Sequence, residues 1–254
     1  MCKDEADVIE RTLLHVAAQG VDGILIADNM STDGTLQLLD EIESPCPVMV
    51  STDTEVGYWQ SAKMTALAAE AHREYGAEWV WPFDADEVWV QDAGLRIADV
   101  CEMSIATIIT ANLFHHLVTL LDPPGHPFDS MGYRVAEPAP IPKVIVRWQP
   151  GNVLHAGNHG CSEAYPGGVQ EPVGVEVRHF PYRSEDQFVR KAINGSRAYA
   201  ETTLPWEVGQ HWREYGLLYE RGGEEALREA FRVHFVHDLP SASGLVYDPV
   251  RTLP

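Results

Sequence analysis

One stretch constrains this chain more than any other. Residues 78–90 read Glu-Trp-Val-Trp-Pro-Phe-Asp-Ala-Asp-Glu-Val-Trp-Val, an aromatic, apolar run (Trp79, Val80, Trp81, Phe83) that breaks off into Asp84, Asp86 and Glu87. β-Branched and aromatic residues in that density predict a buried strand packed on both faces. Carboxylates crowded just past a strand end repel one another unless a positive charge sits between them. Hard cations such as Mg²⁺ or Mn²⁺ meet that need, because they prefer oxygen ligands and often take only one or two from the protein. Taken alone, Asp-x-Asp reads more readily as an acidic turn facing solvent. Its neighbours in the chain change that balance.

The segments around it alternate strand and helix. Ala6 to Ala18 carries a helical stripe (Val8, Ile9, Leu13, Val16, Ala17), with Gly20 placed to stop it. Gly23 to Ala27 predicts a short buried strand ending at Asp28-Asn29, and Ser31-Thr-Asp-Gly34 supplies turn and N-cap chemistry for a helix over Thr35 to Ile42. A strand at Val48 to Ser51 and an alanine-rich helix from Trp59 to Tyr75, closed by Gly76, precede the Trp79 strand. This alternation predicts a doubly wound α/β layer on a parallel sheet. In such a sheet ligands gather beyond the carboxyl ends of the strands, where Asp28 and Asp84/Asp86 would face one edge. A turn-capping role is the plain alternative for Asp28.

Composition narrows the partners. The formal net charge of −20 argues against a nucleic-acid or anionic-membrane surface, which needs basic patches. An anionic substrate stays compatible, since one metal and a few local cations reverse the field within a cleft. The four cysteines (Cys2, Cys46, Cys101, Cys161) form no Cys-x-x-Cys pair, which predicts reduced thiols and a cytoplasmic location. Lys3, Asp4, Glu5 and Asp7 interrupt any signal-peptide core, and Asn112, His115 and His116 spoil the longest apolar stretch, Ile105 to Leu121, as a membrane span.

Taken in order, the motifs carry a family likeness. Lys3-Asp-Glu-Ala-Asp7, Gly20-Val-Asp, Asp28-Asn-Met-Ser-Thr-Asp-Gly-Thr35, Phe83-Asp-Ala-Asp-Glu87 and His179-Phe-Pro-Tyr-Arg-Ser-Glu-Asp-Gln-Phe-Val-Arg-Lys191 together resemble a family 2-type glycosyltransferase with the GT-A fold. The nearest likeness is to a bacterial branch whose motifs read Lys-Asn-Glu-Ala-Asp and Asp-Asn-x-Ser-Thr-Asp-Gly-Thr. It is strongest over residues 1 to about 91, weaker over 141–200, and thin elsewhere. Two departures stand out. Asp4 replaces the family's Asn, keeping an acceptor but losing a donor. The family's first strand precedes this motif, whereas only Met1 and Cys2 precede Lys3 here.

The resemblance implies an enzyme that moves a sugar from a nucleotide-diphosphate sugar to an acceptor hydroxyl (on a sugar, glycan or small molecule), with Mn²⁺ or Mg²⁺ and with inversion. Glu5, Asp28, Ser31 and Asp84 would contact the nucleotide; Asp84, Asp86 and His179 would hold the metal. Arg183 and Lys191 would grip the diphosphate, Arg through its planar fork and Lys as a point charge; solvated charge is the plain reading for Arg190. An inverting transfer needs a general base, for which His159, Glu163, Asp129 and His155 are candidates. The loop His155-Ala-Gly-Asn-His-Gly-Cys-Ser-Glu163 follows a strand expected over Lys143 to Trp148, and His159 matches the family's histidine there. His179 would follow a strand over Val173 to Arg178 and precede a helix opening at Ser184.

Residues 118–142, with six prolines, read as an acceptor-side loop. Beyond Pro205, two amphipathic helices are expected, Trp206 to Tyr219 and Glu224 to His234, followed by an irregular, peripheral tail from Ser241 to Pro254. The aromatics of the first would pack it onto the sheet, with a lid or a homo-oligomer contact left open. This gives a GT-A domain over 1–204 (nucleotide half 1–91, acceptor half 92–204) and a C-terminal helical appendage over 205–254. A silent nucleotide-sugar-binding module and a sugar-nucleotidyltransferase are the rival readings; the latter normally carries a glycine-rich, arginine-containing loop that Lys3 to Asp7 does not offer.

Overall fold

The computed structural model describes residues 1–91, 94–164, 170–238 and 244–252. Helix α1 (Ile9–Ala18) buries Ile9, Leu13, Val16 and Ala17 against β1 (Ile24–Asp28) and α2 (Thr35–Glu41). Next come β2 (Val48–Thr52) and α3 (Gln60–Tyr75), the latter ended by Gly76 at φ +70°, a left-handed cap that costs glycine least. β1 and β2 pair in parallel, from Ile24↔Val48 to Asp28↔Thr52. On the far edge of β1, Cys2 bridges Asp28, with its N–H donating to Ala27 O at 3.0 Å and its carbonyl accepting from Asn29 N at 2.9 Å.

The expected aromatic strand is cut short. Only β3 (Trp79–Val80) forms, because Pro82 has no N–H to give to a ladder. Trp81 and Phe83 leave the sheet and pack against two core clusters at once, joining the β1–β2 pair to the rest. β4 (Glu87–Gln91) begins directly after the acids. The chain continues through α4 (Ile97–Met103), β5 (Ile108–His115), β6 (Val118–Thr119), α5 (Pro127–Ser130), β7 (Tyr133–Val135), β8 (Lys143–Arg147), β9 (Val153–Leu154), β10 (Cys161–Ser162) and β11 (Gln170–His179). The segment 118–142 is therefore partly structured, not one loop.

The expectation of a parallel sheet is also corrected. The main sheet is mixed, in the order β3-β8-β5-β11-β4, and only β5 and β11 within it run parallel. β3 and β4 are its opposite edges. The six residues between them, 81–86 with their acids, thus cross the whole end of the sheet. They pass over the start of β8 and the ends of β5 and β11, which the antiparallel β5–β8 pairing brings to the same side. Convergence of the acids comes from this crossing, not from parallel strands.

α6 (Glu185–Ala200) opens at Ser184, whose hydroxyl accepts from Gln187 N. Phe188, Val189 and Ala192 on it pack against Leu227 and Phe231 of α7 (Gln210–His234). The two helices expected after Pro205 are arms of this one element, broken at Gly223 (φ +64°, ψ −159°), and the first arm begins only at Gln210. β12 (Val236–His237) then pairs with β6, and β13 (Leu245–Tyr247) with β7. The tail expected to be irregular is in this part a strand, while 241–243 and 253–254 lie outside the described residues. All four cysteines are free. Among the described residues no helix is long and apolar enough to cross a membrane.

Candidate active site

Because residues 81–86 traverse the sheet end, the two motif aspartates meet different strands. Asp84 lies over the start of β8, where Lys143 Nζ donates to its Oδ2 at 2.7 Å. Its Oδ1 accepts from Asn158 Nδ2 at 3.1 Å and from Gln60 Nε2 at 3.5 Å. Asp86 lies over the end of β11. Its Oδ2 is 2.5 Å from Lys191 Nζ, 3.5 Å from His179 Nε2 and 3.7 Å from an Arg183 nitrogen. Burial pushes both carboxyls up, but their cations outweigh it. Lys143 chiefly lowers Asp84, while Lys191, His179 and Arg183 hold Asp86 well below the usual carboxylate range.

Glu87, wholly buried, completes the Asp84 group. Its Oε2 accepts from Trp89 Nε1 and Asp84 N. Lys143 Nζ stands 2.7 Å from its Oε1, outside hydrogen-bond alignment. Loss of water therefore raises Glu87 more than the lysine lowers it. Lys143 itself is held charged, because Asp84 and Glu87 outweigh its burial.

Residues 3–7 meet the same cluster from the other side. Glu5 accepts from Arg183 and lies 3.7 Å from Lys191; burial raises it despite both. Arg183 is fully engaged: Nε and an Nη donate to Asp7 at 2.7 and 2.9 Å, and the other Nη to Phe180 O at 2.9 Å. Asp4 sits at φ +54°, a conformation that Asp and Asn tolerate. It acts through acceptors alone: Oδ1 takes Thr32 N at 2.6 Å and Oδ2 takes Asn194 Nδ2 at 2.6 Å. The donor lost with the family's asparagine is not called on here. Ser31 Oγ accepts from Asp4 N, and Asp28 accepts from Ser31 N at 3.0 Å, the turn contact that its position suggested. Arg190 is exposed.

Of the candidate bases, His159 donates through Nδ1 to Pro142 O at 2.9 Å, since a carbonyl can only accept, and so presents Nε2 as a bare lone pair. Burial lowers its pKa. Asp129 is in a two-pronged exposed pair with Arg11 (2.6 and 3.0 Å), and His155 Nε2 meets Ser162 Oγ at 2.9 Å. Glu163 is half-buried. A cavity of about 280 Å³ opens among His115, His159, His179 and Lys143. Within it His115 Nδ1 and His179 Nδ1 stand 2.9 Å apart in a hydrogen bond, and burial, with His179 beside it, presses His115 down to about 4.

The sequence assigns Lys143, His115, Asn158 and Gln60 no role in the site. Lys143 alone leaves a trace: a lysine opening a largely apolar strand in an acidic chain. Among the described residues no three His, Cys, Asp or Glu side chains form a metal cage. Asp86 and His179 do face each other closely enough to share one ion, and small octahedral cations accept two protein ligands. Asn158 Oδ1, buried beside Asp84, has no donor.

Comparison with known proteins agrees with the motif reading at the level of the family. Residues 1–114 match the family model described as glycosyl transferase family 2. This bears out the resemblance over that stretch and, with the α/β layering, the fold class. No curated protein matches the chain. Among solved structures it resembles that of Staphylococcus aureus TarS, residues 1–349 in complex with UDP, at 13% identity and a TM-score of 0.40, over 91% of this chain and 72% of that one.

Proposed function

We propose that the protein transfers a sugar, with inversion, from a nucleoside-diphosphate sugar to an acceptor hydroxyl. Residues 1–204 would form the transferase and 205–254 a helical appendage. The observation that carries this reading is the Asp86 cluster at the sheet end. There five carboxyl groups (Glu5, Asp7, Asp84, Asp86, Glu87) face three cations, Lys143, Arg183 and Lys191. A divalent ion matches that shortfall. Asp86 and His179 would hold Mn²⁺ or Mg²⁺, which supplies positive charge to a leaving diphosphate.

The chain's own groups supply the rest. His159 Nε2, neutral at pH 7, takes the proton of the acceptor hydroxyl. The oxygen then bonds to the anomeric carbon from the side opposite the phosphate, and the bond to the diphosphate breaks with its electron pair. Lys191 neutralises the departing charge. Arg183, spent on Asp7, Glu5 and Phe180 O, keeps Glu5 and the 3–7 segment in place. Asp28, Ser31 and Glu5 would line the nucleotide side.

Calorimetry with UDP, GDP, ADP and dTDP, each with Mn²⁺ and with EDTA, tests it. One nucleotide should bind only with the metal, and Asp86→Ala should weaken it about 100-fold, or about 2.8 kcal/mol. Equal affinity in EDTA and in Asp86→Ala would sink the metal-centred reading. Metal-dependent binding with no transfer from any donor would favour the silent module.

A further inference from the structure

A second, larger cleft lies along α3 and differs in kind from the charged cluster at the sheet end. Its volume is about 760 Å³, and among its lining residues there is no aspartate, glutamate, lysine, arginine or histidine. In a chain with 38 acids and 18 bases, that is a marked exclusion of charge. The size suits a small organic molecule, and an uncharged, largely apolar lining is the usual mark of a site for one. Ala62, Ala66 and Ala69 of α3 line it, together with Val153, Leu204 and Val208.

The walls are built. Tyr58 and Tyr199 stack at 4.5 Å, and Tyr58 N donates to Ala198 O at 3.0 Å. Arg213 fixes the 202–204 turn through Leu204 O at 3.2 Å and Thr202 Oγ1 at 3.4 Å. Gly209, at φ +71°, passes so close over Tyr199 that a Cβ there would stand 2.2 Å from the ring. Gln60 links this cleft to Asp84 of the charged cluster. It lines the cleft, its Oε1 accepts from Tyr58 OH and Gly157 N, and its Nε2 reaches Asp84 Oδ1.

We propose that this cleft seats the acceptor, and that the acceptor is an apolar, aromatic-type aglycone carrying a hydroxyl. Its body would lie against these alanines, and its hydroxyl at the Gln60 end, beside Asp84. A diphosphate finds no cation here, so the donor is excluded by charge; a free sugar finds too few polar partners for its hydroxyls. The inference rests on the transferase reading above and adds the substrate class.

The probe is 2-naphthol, a fluorescent apolar body with one hydroxyl, titrated into the full chain. Saturable binding that quenches tryptophan emission is expected. It should weaken at least about tenfold in Ala66→Trp and in Ala62→Trp, which fill the cleft from exposed helix positions, with unchanged circular dichroism and nucleotide affinity. Naphthol and the nucleoside diphosphate should bind together. No saturation, unchanged affinity in both filled variants, or mutual displacement overturns the proposal. Nucleotide binding on the same samples keeps the readings apart. Naphthol bound without any nucleotide leaves an apolar site and removes the transferase; nucleotide bound without naphthol overturns the cleft alone.

Discussion

The charged cluster at the sheet end and the uncharged cleft along α3, joined through Gln60, solve opposite problems. At the sheet end, ionised groups are buried and must be matched: Asp84 by Lys143, Asp86 by Lys191 and His179, Asp7 by Arg183. Along α3, charge is kept out altogether. A matched buried charge is a poor source of net stability, yet removing one partner is costly because the other is stranded. An uncharged wall carries no such liability. The sharpest way to break the comparison is therefore Lys143→Met. Asp84 and the wholly buried Glu87 would lose their cation, and stability to urea should fall by about 3–5 kcal/mol. Ala66→Trp in the uncharged cleft should change it by about 0.5 kcal/mol or less, as surface substitutions do. A loss below about 1 kcal/mol in Lys143→Met would show that the acids go neutral at little cost and that the matching does not hold the site.

Acid sharpens the contrast next, by a smaller amount. Behind the charged cluster, His116 is kept neutral: buried, stacked on Phe180 at 4.3 Å, and bonded through Nδ1 to Met131 O at 2.7 Å. Burial presses it down to about 4. The unfolded chain therefore binds its proton first. The stability His116 contributes is complete above pH 6.5 and is lost as pH falls toward 4. Between pH 7 and 4.5 the wild type should lose about 2 kcal/mol more than His116→Asn, whose amide can still donate to Met131 O. Parallel curves for the two proteins would mean the histidine is already charged in the fold.

What could be read beforehand follows the same divide. Asp84 and Asp86 announced themselves by type and spacing, the resemblance pointed to Glu5, Arg183 and Lys191, and those three do gather with Asp86. The helices were legible too, because α1, α3 and α6 carry their stops and caps in Gly20, Gly76 and Ser184. Strand pairing was not. Pro82 ends the aromatic strand after two residues, and nothing in Lys143-Val-Ile-Val-Arg147 states that it will run antiparallel to both neighbours. Local pattern sets which face a strand buries, while its partners are chosen by distant segments. The uncharged cleft was the least legible feature. Its lining comes from residues 58–69 at and in α3, from 153–157 and from Tyr199, Leu204 and Val208, and a cleft made by exclusion of charge leaves no motif.

Gln60 offers the finest cut, since it belongs to both sides. Replacing it by methionine keeps the length and removes both ends of the amide. Tyr58 OH and Gly157 N then lose their acceptor, and Asp84 loses one of its three donors while keeping Lys143 and Asn158. Two neutral groups without a partner, partly reached by water, should cost about 1–2 kcal/mol in urea unfolding. Naphthol should still bind within about threefold (roughly 0.6 kcal/mol), because the α3 alanines and the tyrosine pair are untouched. Transfer should suffer far more than either binding step, since the amide is what sets an acceptor hydroxyl beside Asp84. Equal losses in naphthol affinity and in transfer would make Gln60 a binding group and dissolve the boundary between cluster and cleft. A loss confined to transfer would locate that boundary at one side chain.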